Sequence, residues 1–318
     1  MFFEGSEKKA TIIIDPRQLS LLNDFTDDFW HQLVQCADAQ ILSSISNKNC
    51  KAFVLSESSL FIWHDRLLII TCGNTRLVRS VEYFIQQVGK DKIEQVLYQR
   101  KNEYFAEAQA STFHDDVQLL SQYVNGATHR FGKLDNHHHY VFHQDDSLHK
   151  TSSSHNDSNL TKNKNFQASA NDKTYGLSVY QMGKKASDAF TTADISAQQI
   201  RTFLQLDTLL DDFLVDDFVF DPFGYSINAI KGSDYLTIHV TPQENGSYVS
   251  IESSINLIKL TPIFLSILKP KSFGLLCFNE FDFNGLIEKY IPKKHITNTM
   301  GNKQLSNNYL VCFAHYSC

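Results

Sequence analysis

The chain has 318 residues, 42% apolar and 20% charged, with a formal net charge of −6. That is the composition of a soluble globular protein with a substantial core, and its length leaves one large domain or two fused halves open. The acidic balance argues against nucleic acid as a partner, since phosphate binding needs a basic surface, and it mildly favours a cationic ligand.

The N-terminus, MFFEGSEKKA, is acidic early and has no long apolar run, so it does not read as a signal peptide. No stretch approaches the length of a membrane span, so no membrane partner and a cytoplasmic location are expected. Thr11–Pro16, TIIIDP, reads as a short strand ending in a turn. From Asp24 to Ser46 apolar residues recur at helical spacing (Phe29, Leu33, Cys36 or Ala37, Ile41) behind an acidic start. Lys51–Gly73 reads as two strands around a polar turn at His64–Arg66. Leu77, Val81, Phe84, Ile85 and Val88 then share one helical face, with Gly89 as the stop. IEQVLYQRKN returns as a strand.

The second half repeats this alternation. Ile195–Leu210 is helix-like, and Asp216–Ser253 alternates apolar and polar residues between turn signals. Thr261-Pro262 is expected to open a short helix that ends before Pro270. SFGLLCFNE is a further strand. Two halves of this kind predict an α+β fold in which helices pack on antiparallel sheets. No residue-level repeat is visible.

Gln144 to Lys173 is different: rich in Ser, Asn, Asp, Lys and His, it holds too few apolar residues to offset its ordering entropy. It is expected to be a mobile surface loop. Seven histidines fall between His129 and His155. No Cys or carboxylate completes a ligand spacing, so no metal site is assigned and a polar strand edge with a loop is expected. The six cysteines (36, 50, 72, 277, 312 and 318) form no CxxC pair and read as reduced thiols, mostly filling the core.

One stretch resists this reading. In VLSESSLF, Val54–Phe61, four polar residues interrupt an apolar run that resumes beyond them. Taken alone, such residues are a turn or a bulge. Because AFVLSESSLFIW keeps its alternation on both sides, they are expected inside the sheet rather than at a loop tip. A buried hydroxyl beside a strained peptide bond suits an intramolecular nucleophile.

FFEGSEK (2–8), LSESSLF (55–61), TCGNT (71–75), YQRKN (98–102), FDPFGYSIN (220–228) and YLTIHVTP (235–242) occur in this order. With weaker matches at NGATHRFGKL and NNYLVCFA, the sequence resembles eukaryotic-type S-adenosylmethionine decarboxylase along most of its length. The resemblance implies a single domain over 1–318, built as a four-layer αββα sandwich of two antiparallel sheets flanked by helices. It also implies self-cleavage between Glu57 and Ser58, giving a β chain, 1–57, and an α chain, 58–318, that begins with a pyruvoyl cofactor made from Ser58. That group would hold the substrate as a Schiff base and act as electron sink, as pyridoxal phosphate does elsewhere. No phosphate-binding loop is then needed, and GNT after Cys72 is too short to be one.

By the same resemblance, His239 removes the Ser58 α-proton, Ser226 assists it, and Cys72 protonates the substrate carbon after decarboxylation. An imidazole suits the first task because its pKa lies near operating pH. Phe3 and Phe220 would sandwich the adenine, with Leu55 and Glu57 beside it, and Glu4 and Glu7 would lie near the reacting centre. Aromatic faces also attract a sulfonium cation. Read without the family, His239 and Cys72 would be ordinary core residues.

The sequence departs from the family pattern in two places. A carboxylate expected to hold the ribose is replaced by Gln243, with Glu244 next to it, which loses a charge-assisted bond. The acidic site that binds putrescine in animal members is matched by Asp172, Glu252 and Thr174. Thr11 and Gly176 stand where carboxylates are expected, and Ile70 where a lysine is. Burying a diamine needs paired negative charge, so weak or absent putrescine activation is expected. The reading is therefore a decarboxylase of S-adenosylmethionine serving spermidine synthesis. Its alternatives are a pyruvoyl decarboxylase of another amino acid and an inactive regulatory homologue. Monomer and homodimer of processed units both stay open.

Overall fold

Side-chain alternation along the strands sorts this chain into layers. The computed structural model describes residues 7–103, 105–134, 137–145, 166–243 and 246–318. The first half holds β1 (Lys8–Ile14), α1 (Asp27–Gln35), β2 (Ile41–Ser46), β3 (Lys51–Leu55), β4 (Ser58–Ile62), β5 (Arg66–Thr71), α2 (Leu77–Val88), β6 (Ile93–Lys101), α3 (Phe113–Leu120), β7 (Gly126–Gly132) and β8 (His138–Gln144). The second half holds β9 (Thr174–Tyr180), α4 (Lys184–Phe190), α5 (Ala197–Phe203), α6 (Leu206–Leu209), β10 (Leu214–Val219), β11 (Tyr225–Lys231) and β12 (Asp234–Thr241). It continues through β13 (Tyr248–Ser253), α7 (Leu257–Leu268), β14 (Ser272–Phe278), α8 (Phe283–Tyr290), β15 (Ile296–Gln304) and β16 (Leu310–Ser317).

Two eight-stranded antiparallel sheets result, ordered β2-β3-β4-β5-β1-β6-β8-β7 and β10-β11-β12-β13-β9-β14-β16-β15. Adding eight to each strand number of the first sheet generates the second. The halves are therefore one topology used twice, although no residue-level repeat announces it.

Each sheet buries one face under its own helices. Ala10, Ile12 and Ile14 of β1 and Leu60 and Ile62 of β4 join Leu77, Val81, Phe84 and Ile85 of α2 in one core. Leu236, Ile238 and Val240 of β12 and Val249 and Ile251 of β13 meet Ile258, Phe264 and Leu265 of α7 in the other. Each such side chain, removed from water, contributes about 2 kcal/mol. Local signals agree: α2 buries positions three and four apart, and Thr112 and Asp115 close a capping box on α3.

The opposite faces of the sheets meet each other, which completes the αββα sandwich. Two apolar patches hold them together. One contains Leu97 and Val141 with Leu276, Val311 and Phe313. The other contains Phe61, Trp63 and Ile70 with Ile230 and Tyr235. Between these patches lies a buried polar layer that includes Glu7, Lys9, Ser58, Ser59, Asn228, Thr237, His239, Ser250 and Glu252.

Several expectations need correction. The helical pattern from Asp24 stops at Gln35, and Ile41–Ser46 is an edge strand whose burial alternates with period two. Lys51–Gly73 holds three strands, because a turn at Ser56-Glu57 divides the first of the two expected. The polar stretch thus straddles a hairpin tip rather than lying inside a continuous strand. The α7 helix starts at Leu257 under an Asn256 cap, and Pro262 lies within it. Of the segment read as a mobile loop, 146–165 lies outside the described residues. Residues 166–173 pack: the Ala168 N–H donates to the Asn307 carbonyl at 2.9 Å, and Asp172 pairs with Arg66. Of the described histidines, His129 lies on the edge strand β7 as expected, whereas His138, His139 and His143 are buried. His137 stacks on Tyr180 with ring centres 3.6 Å apart, and His139 meets Phe313.

Candidate active site

The hairpin of β3 and β4 pairs Leu55 with Ser58 and turns through Ser56-Glu57. Neighbouring backbone clamps the turn: the Ser56 N–H donates to the Gln40 carbonyl at 2.8 Å, and the Gln40 N–H donates to Ser56 Oγ at 3.0 Å. Ser58 follows with φ of 149°, a region that L side chains avoid. Holding a residue there costs about 1–3 kcal/mol. The consequence is visible in the alternation. Strict period two would put Ser58 on the helix side with Leu60 and Ile62. Instead both Ser58 and Ser59 reach His239 on the inter-sheet side, Ser58 Oγ lying 2.9 Å and Ser59 Oγ 3.3 Å from Nε2.

The carbonyl of Glu57 is the group that Ser58 would attack. It accepts the Cys72 backbone N–H at 3.0 Å and the Cys72 thiol at 3.0 Å. Burial pushes that thiol well above its ordinary pKa, and the carboxylates of Glu57 and Glu7 push it further. Cys72 is therefore a protonated acid at neutral pH. Burial also raises the Glu57 carboxyl to about 7, against the pull of Lys8. Lys8 is itself desolvated, which lowers it to about 8, and its ammonium donates to the Gly73 carbonyl and Gln109 Oε1, each at 2.8 Å.

His239 comes from the other sheet. Its cross-strand neighbours are Ser226 on β11 and Ser250 on β13. Ser226 Oγ is 2.9 Å from Nδ1 and Thr237 Oγ1 is 2.9 Å from Nε2. Burial depresses the imidazole to about 4, partly offset by Glu7, so it is neutral and able to act as a base. Burial would raise Glu7, but Lys9 outweighs it, together with hydrogen bonds from Ser250 at 2.5 Å and Tyr248 at 2.6 Å, and Glu7 stays ionised.

Glu7, Glu57, Ser58, Cys72, Ser226 and His239 thus converge from six strand or turn positions in both halves. Phe3, Glu4 and Glu244 lie outside the described residues. Phe220 is half-buried beyond β10, its ring 4.9 Å from that of Phe218. Leu55 faces the helix-side core, so only its backbone is free to meet a ligand. Gln243 Oε1 is buried without a partner among the described residues, an open acceptor for a hydroxyl. Sequence reasoning missed Ser59, Asn228 and Thr237 beside His239. It also missed Lys9, whose ammonium pairs with Glu252 and lies 3.9 Å from Glu7. A detectable signal existed: Lys9 shares the period-two face of Ile13, a charge in an inward register.

The chain is similar in sequence and in fold to known proteins. A family model described as adenosylmethionine decarboxylase matches residues 1–316. The S-adenosylmethionine decarboxylase proenzyme of Trypanosoma cruzi is 30% identical, covering 99% of this chain and 88% of its own length. S-adenosylmethionine decarboxylase proenzyme 3 of Arabidopsis thaliana is 30% identical, over 86% of this chain and 81% of its own. The crystal structure of the Trypanosoma brucei AdoMetDC-delta26 monomer superposes with a TM-score of 0.58 at 20% identity, covering 81% of this chain and 98% of that one, which shows the shared fold.

The buried histidines carry a pH signature. Desolvation lowers His239 and His315 each to about 4 and puts His139 well below its ordinary value. The unfolded chain binds protons on these rings near pH 6.5 and the folded chain does not, so stability falls as pH falls through that window. The unfolding free energy from urea titration should drop between about pH 7 and pH 5, by on the order of 2 kcal/mol for each such histidine, opposed in part by the Glu57 carboxyl, which binds a proton in the folded chain over the same window. An unfolding free energy that is flat over this range would contradict the assignment of neutral rings.

Proposed function

The chain belongs to the adenosylmethionine decarboxylase family, and on that footing we propose that it cuts itself between Glu57 and Ser58 and decarboxylates S-adenosylmethionine to the aminopropyl donor of spermidine and spermine synthesis. The observation that carries this reading is Ser58 itself: strained, buried, and aimed at His239 beside a polarised Glu57 carbonyl.

Ser58 Oγ attacks the Glu57 carbonyl carbon as neutral His239 takes the hydroxyl proton. Negative charge develops on the Glu57 oxygen, where the Cys72 N–H and thiol already donate, the arrangement that stabilises an oxyanion. The C–N bond breaks as His239 passes the proton it took to the Ser58 nitrogen, so the ring is neutral again and the amide has become an ester, with release of the backbone strain. His239 then accepts the Ser58 α-proton and the Glu57 carboxylate departs. Hydrolysis of the dehydroalanine so formed, with loss of ammonia, leaves the pyruvoyl group at position 58. Once formed, that group supplies the ketone that takes up the substrate amine and the electron pair left by carbon dioxide. The chain's part in that second reaction is to deliver the Cys72 proton to the substrate carbon and to bind the nucleoside. We assign Phe220, with Phe3, to the adenine, and Gln243 to a ribose hydroxyl. Glu57, Glu4 and Glu7 would supply carboxylates near the reacting centre.

The pairing of the buried charges supports the expectation of weak or absent putrescine activation. A cavity of about 480 Å³ between the sheets is lined by Thr11, Asp172, Thr174 and Glu252 among others. The two carboxylates there that match the family's site are already paired: Asp172 with Arg66 and the Tyr309 hydroxyl, Glu252 with Lys9 and Tyr235. Lys9 is the direct cross-strand partner of Ile70, where the family pattern has a lysine. A cation thus stands across one strand pair from position 70, and a buried diamine would meet charges already compensated.

Two outcomes follow. Carbon dioxide should be released from carboxyl-labelled S-adenosylmethionine, and Cys72→Ala should lower kcat by about a hundredfold; release from a different amino acid instead would move the substrate assignment. Added putrescine should leave the rate unchanged, and a severalfold stimulation would contradict the role given to Lys9.

A further inference from the structure

Four hydroxyls surround the His239 ring. Ser226 meets Nδ1, while Ser58 and Thr237, each at 2.9 Å, and Ser59 at 3.3 Å meet Nε2. A neutral Nε2 has one lone pair and accepts one hydrogen. If Thr237 donated to it, His239 could not accept the proton of Ser58.

We propose that Asn228, Ser59 and Thr237 are positioning residues that turn the Thr237 hydroxyl hydrogen away from His239, reserving the Nε2 lone pair for Ser58; this rests on the self-cleaving reading above. The chain of donors starts at Asn228, which is fully buried. Its contact with Ser59 Oγ is 2.6 Å, an O–H···O length and shorter than N–H···O bonds run, so the amide oxygen faces Ser59 and Ser59 donates. With its hydrogen committed, Ser59 Oγ is an acceptor for Thr237 Oγ1 at 3.2 Å. Thr237 then presents only oxygen to Nε2. It does not compete with Ser58 before the transfer, and it can accept the proton that Nε2 gains. On the other ring nitrogen, the Nδ1 hydrogen goes to Ser226.

Asn228 Nδ2 has no acceptor among the described residues. A buried donor left unpaired costs about 1–3 kcal/mol, so this amide is not placed for its own stability. The parts sit at inward positions of β4, β11 and β12, where strand pairing fixes their directions: Asn228 opposes Thr237 and Ser226 opposes His239.

Cleavage rates of three proteins, the wild type and two variants, test this. Ser59→Ala frees the Thr237 hydrogen to occupy Nε2 and should slow cleavage by up to about tenfold, the worth of one hydrogen bond. Adding Thr237→Val removes the competitor, so the double variant should cleave faster than Ser59→Ala. A purely structural role predicts the reverse, and a double variant as slow as Ser59→Ala or slower overturns the proposal. A second measurement does not depend on cleavage. In Ser58→Ala protein, the ¹⁵N resonance of His239 Nε2 should be that of a nitrogen without a hydrogen bond. It should move upfield when Ser59→Ala is added. No movement overturns the relay. Absence of cleavage in the wild type, with the resonance moving as expected, would overturn only the self-cleaving reading.

Discussion

The contact between Ser58 Oγ and His239 Nε2 joins two sheets that share no strand, and much of the molecule's construction serves it. Ser58 begins β4 and His239 lies in β12, which occupy equivalent places in the two sheets. Face-to-face packing of a repeated topology brings equivalent strands opposite each other. Period two alone would still have turned Ser58 toward the helices. The positive φ at Ser58 reverses that, and the turn clamped to Gln40 and the pairing with Thr71 hold the strain in place. Stability generated in the two helix-covered cores is what lets one residue remain in a disfavoured conformation.

The polar layer between the sheets obeys a strict condition: a charge buried there must have a partner. Glu7 has Lys9, Ser250 and Tyr248, and Glu252 has Lys9 and Tyr235. His239 meets the condition by staying neutral, which is also what a base requires. Cys72 meets it by staying protonated, which is what an acid requires. Desolvation thus moves the imidazole and the thiol in opposite directions, each toward the state that its proposed role needs.

Much of this was legible from residues. The alternation of β11, β12 and β13 was plain, as was the α2 face, because inward polar and outward apolar positions keep period two without interruption. The Ser56-Glu57 turn was not legible: tight hairpins usually announce themselves with Gly or Asn, and this one has neither. Ile41–Ser46 was read as helix because Ile41 also fits a 3.6-residue spacing from Phe29 and Leu33. The duplication was hidden since packing asks only for apolar volume at matching positions, which different residues supply. Motif resemblance located the six convergent side chains. It pointed to position 70 for the buried cation, and only strand register revealed Lys9 across from it. Ser59, Asn228 and Thr237 looked like ordinary strand polar residues until their hydroxyl and amide groups were seen around one imidazole.

The most direct measurement is the intact mass of the purified protein beside a Ser58→Ala variant. The account predicts two wild-type fragments, residues 1–57 and 58–318, with the larger lacking an N-terminal amine, and a single uncut chain for the variant. A single uncut chain in the wild type would contradict it, because the strained Ser58, the polarised Glu57 carbonyl and the neutral His239 would then be in place without the reaction they are argued to perform.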